Sequence, residues 1–262
     1  MTHFDPTHLP LWRAAGISID RDAKFRILPI SSTDLSPEDQ AANGLCWLIS
    51  KVVNFLARCK QSQIAQWTGT PLSYSSGTSQ DTSAESSSRP HPDTNTWLNL
   101  CFELQTWTEG ISEGFRPCVR IEHPRDPSKP SDGRKCPFPE VFYSLETCAA
   151  SMQHYHFGRI ALLLNRPPDV VSEPSTAFDR LQDYREMTKE VDYRCREICG
   201  IALGRPGGEV RIYMTALLLA VGQCLENSEE RQIIVDILRA VEADLGWATD
   251  YAAQDLQTSW NR

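Results

Sequence analysis

Ser36-Pro37-Glu38-Asp39, followed shortly by Leu45-Cys46-Trp47-Leu48-Ile49-Ser50-Lys51-Val52-Val53-Asn54-Phe55-Leu56, is the stretch on which the fold turns. Ser36 is placed to cap a helix, Pro37 tolerates the first helical position because its missing N–H has no partner there, and Asp39 completes a capping box. Leu45, Leu48, Ile49, Val52, Val53, Leu56 and Cys59 then recur at three- and four-residue steps, which gathers them into one stripe for burial. Upstream, Leu11, Trp12, Ala14 and Ala15 read as helical, and Phe25, Ile27 and Leu28 as extended.

The same pitch returns downstream. Asn95 or Thr96 is read as the cap of a helix carrying Trp97, Leu100, Cys101, Leu104 and Trp107 or Thr108 and ending at Gly110. Pro137-Phe138-Pro139-Glu140 is read as the start of a long helix bearing Phe142, Leu145, Ala149, Met152, His156, Ile160 and Leu163, which Pro167-Pro168 stops. Ser175 opens the next, with Phe178, Leu181, Tyr184, Thr188, Val191, Cys195, Ile198 and Ala202 on one side and Gly204 with Pro206 as the stop. Helices from Glu209 to Leu225, from Ser228 to Gly246 (burying Ile234, Ile237, Leu238, Val241 and Leu245), and around Tyr251, Leu256 and Trp260 complete the set. No comparable period-two strand is visible. The expected fold is all-α: a multi-helix domain of antiparallel helix pairs joined by short Gly- and Pro-marked turns.

Between the helices, composition changes. The segment from Pro71 to Pro92 holds eight serines and three prolines with almost no large apolar side chain, too little to offset the entropy of ordering. This predicts helical parts at 1–70 and 96–262 around a flexible Ser/Pro-rich loop or linker at 71–95. Residues Arg116 to Lys135 carry six basic and three acidic side chains with four prolines, a locally positive loop read as solvated.

Composition also excludes classes. The 262 residues are 40% hydrophobic and 23% charged, ordinary for a folded chain. The formal net charge of -8 opposes a phosphate backbone, so direct DNA binding by this chain is not expected. No membrane partner is expected, because Met214 to Gly222, the longest apolar stretch, is far shorter than the roughly 20 residues of a spanning helix. With no secretory leader and no N-x-[ST] acceptor, an intracellular location is expected. The nine cysteines are read as reduced thiols; none are spaced C-x-x-C, so no local zinc module can be built and no metal is expected.

Four motifs could carry chemistry, and each has a plainer reading. Gly110-Ile111-Ser112-Glu113-Gly114 matches the G-x-S-x-G nucleophile elbow, but a helix leads into it and Phe115-Arg116-Pro117 cannot begin the supporting helix. His154 and His156 are two apart on a helix and point to nearly opposite faces, so they cannot share a metal; His156 falls on the buried stripe. Cys195 and Cys199 share a face as a conceivable redox pair or half a zinc site, and are read as core residues. Gly204, Gly207 and Gly208 lack the preceding strand and following lysine of a phosphate loop and are read as turn residues. No catalytic residue is assigned, no cofactor-binding residue can be named, and an enzyme is not expected.

The order of certain segments carries a resemblance. Trp97-x-x-Leu100, Glu103-Leu104-x-x-Trp107, Phe115-Arg116-Pro117, Phe138-Pro139-Glu140-Val141, the run from His154 to Leu164, Cys195-Arg196-Glu197-Ile198-Cys199-Gly200-Ile201-Ala202, the span Glu229-Glu230-Arg231 through Leu238, Gly246-Trp247 and Asp255-Leu256-x-x-x-Trp260 occur in sequence. Leu11-Trp12-Arg13-Ala14-Ala15-Gly16 and the run from Trp47 to Ala57 extend them upstream. Together they resemble the C-terminal regulatory domain of fungal-specific binuclear zinc cluster transcription factors. The resemblance implies a nuclear regulator of RNA polymerase II transcription, with other transcription proteins, a homo- or heterodimer partner and a small-molecule effector as its contacts. The family's six closely spaced cysteines are absent here, so zinc is expected only in a missing N-terminal module and this chain is expected to be the distal part of a regulator. A stand-alone helical interaction scaffold that pairs with a full-length relative is the alternative, and an unrecognised helical enzyme, marked by a buried polar cluster of perturbed protonation, is the third.

Overall fold

The structure, a computed structural model, describes residues 17–19, 25–27, 35–68, 92–122, 137–167 and 176–261. The readings at Leu11 to Ala15, at Leu28, over the Ser/Pro-rich stretch up to residue 91 and at Ser175 lie outside these residues, as does most of the basic loop.

In chain order, β1 (Ile17–Ile19) pairs antiparallel with β2 (Phe25–Ile27), Ile17 opposite Ile27. Helices α1 (Pro37–Thr68) and α2 (Pro92–Gly110) follow, then a 3-10 turn (Glu113–Phe115). Strand β3 (Val119–Ile121) pairs antiparallel with β4 (Glu140–Phe142). The rest is helical: α3 (Glu146–Leu164), α4 (Ala177–Leu203), α5 (Gly208–Cys224), α6 (Ser228–Leu245) and α7 (Asp250–Trp260). The fold is all-α, with two small antiparallel strand pairs; the extended reading at Phe25 and Ile27 falls on β2, whereas the sequence pattern shows no sign of β1, β3 or β4.

Local chemistry explains most boundaries. Ser36 caps α1 with half of the expected box: the Asp39 N–H donates to Ser36 Oγ at 3.1 Å, while Asp39 Oδ2 accepts from the Ser36 hydroxyl at 2.9 Å rather than from its backbone N–H. Thr176 and Asp179 complete the box on α4, the Asp179 N–H donating to Thr176 Oγ1 and the Thr176 N–H donating to Asp179 Oδ2. Asn227 caps α6, whose far end closes on Gly246 at φ +68°, a left-handed backbone that costs glycine nothing. Glu242 then caps α7: its Oε2 accepts from the backbone N–H groups of Thr249 at 2.9 Å and Asp250 at 2.8 Å.

Two expected helix starts are corrected. Pro137 to Glu140 does not open a helix; Glu140–Phe142 is a strand and α3 begins at Glu146. Pairing with β3 decides this, because Val119 to Ile121 satisfies the backbone groups of Glu140 to Phe142 that a helical turn would otherwise satisfy internally. Helix α2 begins at Pro92, before Asn95 and Thr96.

Among the described residues, the apolar side chains gather into two large clusters and a small one. Leu45, Leu48, Val52, Phe55 and Leu56 of α1 meet Leu100 and Leu104 of α2 and Tyr155, Ala161 and Leu162 of α3. Phe55 is fully buried although it lies outside the expected stripe, because α1 is covered by both α2 and α3. Two indoles bind these helices by polar edges: Trp97 Nε1 donates to the Leu162 carbonyl and Trp107 Nε1 to that of Ala41, each at 2.8 Å. The second cluster joins Ile160 of α3 to α4 through α7, with Ile198, Leu218, Ile234, Val235, Leu238 and Val241 fully buried. Helix α3 is thus shared by both.

The expected stripe of α4 is buried only in its second half. Val191, Cys195, Ile198 and Ala202 are enclosed, whereas Phe178 is 83% exposed and Leu181, Tyr184 and Thr188 also face solvent. The first turns of α4 carry an apolar pattern with no element packed over it among the described residues. Leu245 of α6, expected in the core, is likewise exposed at the helix end.

Candidate functional site

Helical spacing places Glu190, Arg194 and Glu197 of α4 on one face, with Tyr193 beside them, and the fold brings that face against Tyr155 and His156 of α3. Arg194 donates from Nε and Nη2 to Glu190 Oε1 at 2.8 and 2.6 Å and from Nη1 to His156 Nδ1 at 3.2 Å. A guanidinium has only donors, so Nδ1 of His156 must accept, and the imidazole is neutral with its hydrogen on Nε2. The same guanidinium lies over the rings of Tyr155 and Tyr193, at 5.4 and 5.1 Å from their centroids.

The charge state follows from the surroundings. Burial above all, then the positive charges of Arg194 and Arg120, pushes His156 down to about 3, so it stays neutral in near-neutral solution. Burial and the charge of Glu197 raise the phenols of Tyr143 and Tyr193, which therefore remain protonated.

Beside this pair, Glu197 is buried on α4 and receives Arg120 from β3, with Nη1 at 2.8 Å from Oε1. Arg120 also pairs with Glu122 at the end of its own strand. Elsewhere around the helix, Arg196 donates to Asp192, to the Pro137 carbonyl and to Glu230 of α6 at 2.9, 2.9 and 3.0 Å, and lies over the ring of Phe138. The β3–β4 hairpin is therefore fixed to α4 at Arg120 and held by Arg196 at the Pro137 end. Two glycines permit the close approach: a Cβ on Gly204 would sit 2.1 Å from the Val141 carbonyl oxygen, and one on Gly200 would sit 3.0 Å from that of Pro139. Gly204 is required by this contact rather than by the turn, since the left-handed position of the turn is taken by Arg205 at φ +48°.

Chemically, this seam is a set of matched charges. It is also a buried polar cluster with a strongly displaced protonation equilibrium, the mark expected of a helical enzyme. Its carboxylates are neutralised by guanidinium groups, and the accepting nitrogen of His156 is occupied by Arg194, which leaves that imidazole poorly placed to take a proton from a substrate.

The other singled-out residues lie elsewhere. Ser112 donates to Glu38 Oε1 at 2.7 Å; this hydrogen bond and one from the backbone lower the Glu38 carboxyl, making it a weak base for a serine nucleophile. His154 is half-buried, with Nδ1 2.8 Å from the Ala150 carbonyl oxygen. Cys195 and Cys199 lie in the second core cluster. Among the described residues, no group of three or more His, Cys, Asp or Glu side chains is placed to hold a metal ion. No helix among them is long and apolar enough to cross a membrane.

Sequence reasoning found His156 but missed its partners. Glu190 and Arg194 carried a signal, the i,i+4 spacing of opposite charges. The burial of Glu197, and its pairing with Arg120 from 77 positions away, carried none.

No family model matches the chain, and no solved structure matches it. The sequence is similar to transcription activator AMTR1 of the fungus Alternaria alternata, 31% identical over 271 residues. The similarity covers all of this chain and 33% of that protein, so the chain spans about a third of the length of the curated relative it matches.

Proposed function

We propose that this chain is the regulatory portion of a fungal transcription regulator, acting in the nucleus on RNA polymerase II transcription. The observation that carries the reading is the 31% identity to a fungal transcription activator, which extends over the whole chain. The ordered segments that resemble the fungal-specific regulatory domain agree with it, and so does the all-α fold. In this reading the parts of the chain on either side of the Ser/Pro-rich stretch form one regulatory body, and α2, which begins at Pro92, belongs to the second of them. The body contacts other transcription proteins, and a small-molecule effector acts by shifting helix packing. It is not an enzyme and takes no cofactor. This chain does not grip DNA itself, because a net charge of -8 gives duplex DNA no electrostatic attraction; the resemblance implies that a zinc-bound module outside it does.

Tethering tests the proposal. Fused to an unrelated DNA-binding module, the chain should change output from a reporter promoter several-fold relative to the module joined to a helical protein of similar size and charge. Equal output at equal nuclear amounts would remove it.

A second reading, a helical scaffold that pairs with a full-length relative, is favoured by the exposed Phe178, Leu181 and Tyr184 on α4. Mixing the chain with a full-length homologue and measuring subunit exchange and promoter occupancy separates the two. If neither changes, the scaffold reading is excluded.

A further inference from the structure

The half of α4 that carries exposed apolar side chains is also the half that overhangs its neighbour. Helices α3 and α4 run antiparallel: Arg194 meets His156, and Gly207, just beyond the end of α4, lies against the carboxylate of Glu146, the first residue of α3. Counted along the pair from these two contacts, Leu164 at the end of α3 stands level with roughly residue 186 of α4. Residues 177–185 therefore project beyond α3 by about 13 Å, at about 1.5 Å per residue. At about 100° per residue, Leu181, Tyr184 and Thr188 fall on the face of Val191, Cys195 and Ala202, so the exposed stripe continues the one that closes the second core. Phe178 stands at its border.

Charge on these turns is sorted by face. Arg185 and Lys189 border the stripe on the side of Phe178 and Arg180 borders it on the other, all three exposed. Asp179, Asp183, Glu186 and Glu190 lie at the back of the helix, and most are engaged there: Asp179 in the cap, Glu186 by Gln182 and Glu190 by Arg194. Asp192, the next acid along the Arg185 border, is held by Arg196. A chain of formal charge -8 thus presents on this face apolar side chains rimmed with positive charge.

We propose that the overhanging face of α4 docks an acidic amphipathic helix of a partner protein, whose apolar side chains cover Phe178, Leu181 and Tyr184 while its carboxylates meet Arg180, Arg185 and Lys189. Charges on the borders of a helix pair choose the partner, and here they exclude the chain itself. With two copies of the stripe face to face, parallel or antiparallel, cationic border meets cationic border, because both borders carry the same sign. An anionic lipid surface is also the poorer match: a helix lying on one carries its polar face in cations, whereas the back of α4 is acidic. Carboxylates on a separate helix reach the rim alone and avoid that back face. The site belongs to the face itself, independently of what the chain as a whole regulates.

Two synthetic helices of roughly eighteen residues, alike in their leucine stripe and differing only in whether glutamate or lysine borders it, serve as probes for fluorescence anisotropy with the full chain. The glutamate-bordered peptide should bind about tenfold more tightly than its lysine-bordered twin and lose several-fold in affinity between about 50 and 500 mM salt. On saturation it should slow amide exchange over residues 178–189 and leave α7 unchanged. Arg180→Glu, Arg185→Glu and Lys189→Glu together should invert the preference, and Leu181→Asp should abolish binding of both peptides. All four positions are exposed, and circular dichroism checks that helix content is kept. Equal affinity for the two peptides, no binding up to about 1 mM, or protection on another face would overturn the proposal. So would a dimer in sedimentation that Leu181→Asp dissolves, or binding to phosphatidylserine vesicles that the glutamate-bordered peptide does not displace.

Discussion

His156 illustrates what burial does to one side chain. Its folded-state value near 3 lies below the ordinary imidazole value of 6.5, so the unfolded chain binds the proton first as the solution is acidified. The stability held by neutral His156 is complete above about pH 6.5 and is lost progressively as the pH falls toward 3, with a slope that approaches about 1.4 kcal/mol per pH unit inside that window. Denaturant midpoints between about pH 6.5 and 5, above the range where carboxylates titrate, should fall with acidification in the parent chain and fall less steeply in His156→Gln. A second prediction concerns the ion pair at Glu197. Arg120→Met strands a buried carboxylate and should cost about 2 kcal/mol, discounted for the part-exposed guanidinium, whereas Arg120→Met with Glu197→Met should recover most of that loss. A double-mutant cycle read by urea denaturation checks it. Gly204→Ala should cost about 2–3 kcal/mol by forcing the Val141 carbonyl away from α4, whereas Gly110→Ala, which meets nothing within 4 Å, should change stability by less than about 0.5 kcal/mol.

Helix α4 is an element of two halves. From Val191 onward, burial in the second core holds it, and its amides there should exchange at rates close to those of global unfolding. The first turns have no such support and rely on the Thr176–Asp179 capping box and on local pairs such as Gln182 with Glu186. Thr176→Ala should therefore raise amide exchange across residues 177–186 about fivefold, the equivalent of a cap worth about 1 kcal/mol, while leaving 191–202 unchanged. Uniform protection along α4 would show that another element covers its exposed apolar side chains. The hairpins make a related point about legibility. Three-residue strands are too short to display alternation, and Pro137-Phe138-Pro139-Glu140 has all the composition of a helix start. That it opens no helix and leads into strand β4 is decided by Cys118 to Ile121 on one side and by the glycines of α4 on the other, and both lie far away in sequence.

At the scale of the molecule, α3 belongs to both large clusters: Tyr155 and Leu162 face α1 and α2, while Ile160 joins α4 through α7. Phe55→Ala, which empties a fully buried site in the first cluster, should cost about 3–5 kcal/mol. Because α3 couples the two cores, its loss should appear in one shared transition, seen equally by helical circular dichroism and by fluorescence of Trp247 and Trp260 in the far half. Among the described residues, the run of helices from α1 to α7, the caps at Ser36 and Gly246, and the burial of Leu45, Leu48, Val52 and Leu56 on α1, of Ile234, Ile237, Leu238 and Val241 on α6 and of Val191, Cys195, Ile198 and Ala202 on α4 were determined by the sequence alone. Period, capping chemistry and chain-breaking residues act over a few positions and leave their mark in one dimension. Only the tertiary structure decided that Phe55 is enclosed, that Phe178 is not, and that Glu197 meets Arg120. Each of these depends on which helix lies across from which, and that is settled by packing summed over the whole chain rather than by any neighbour in the sequence.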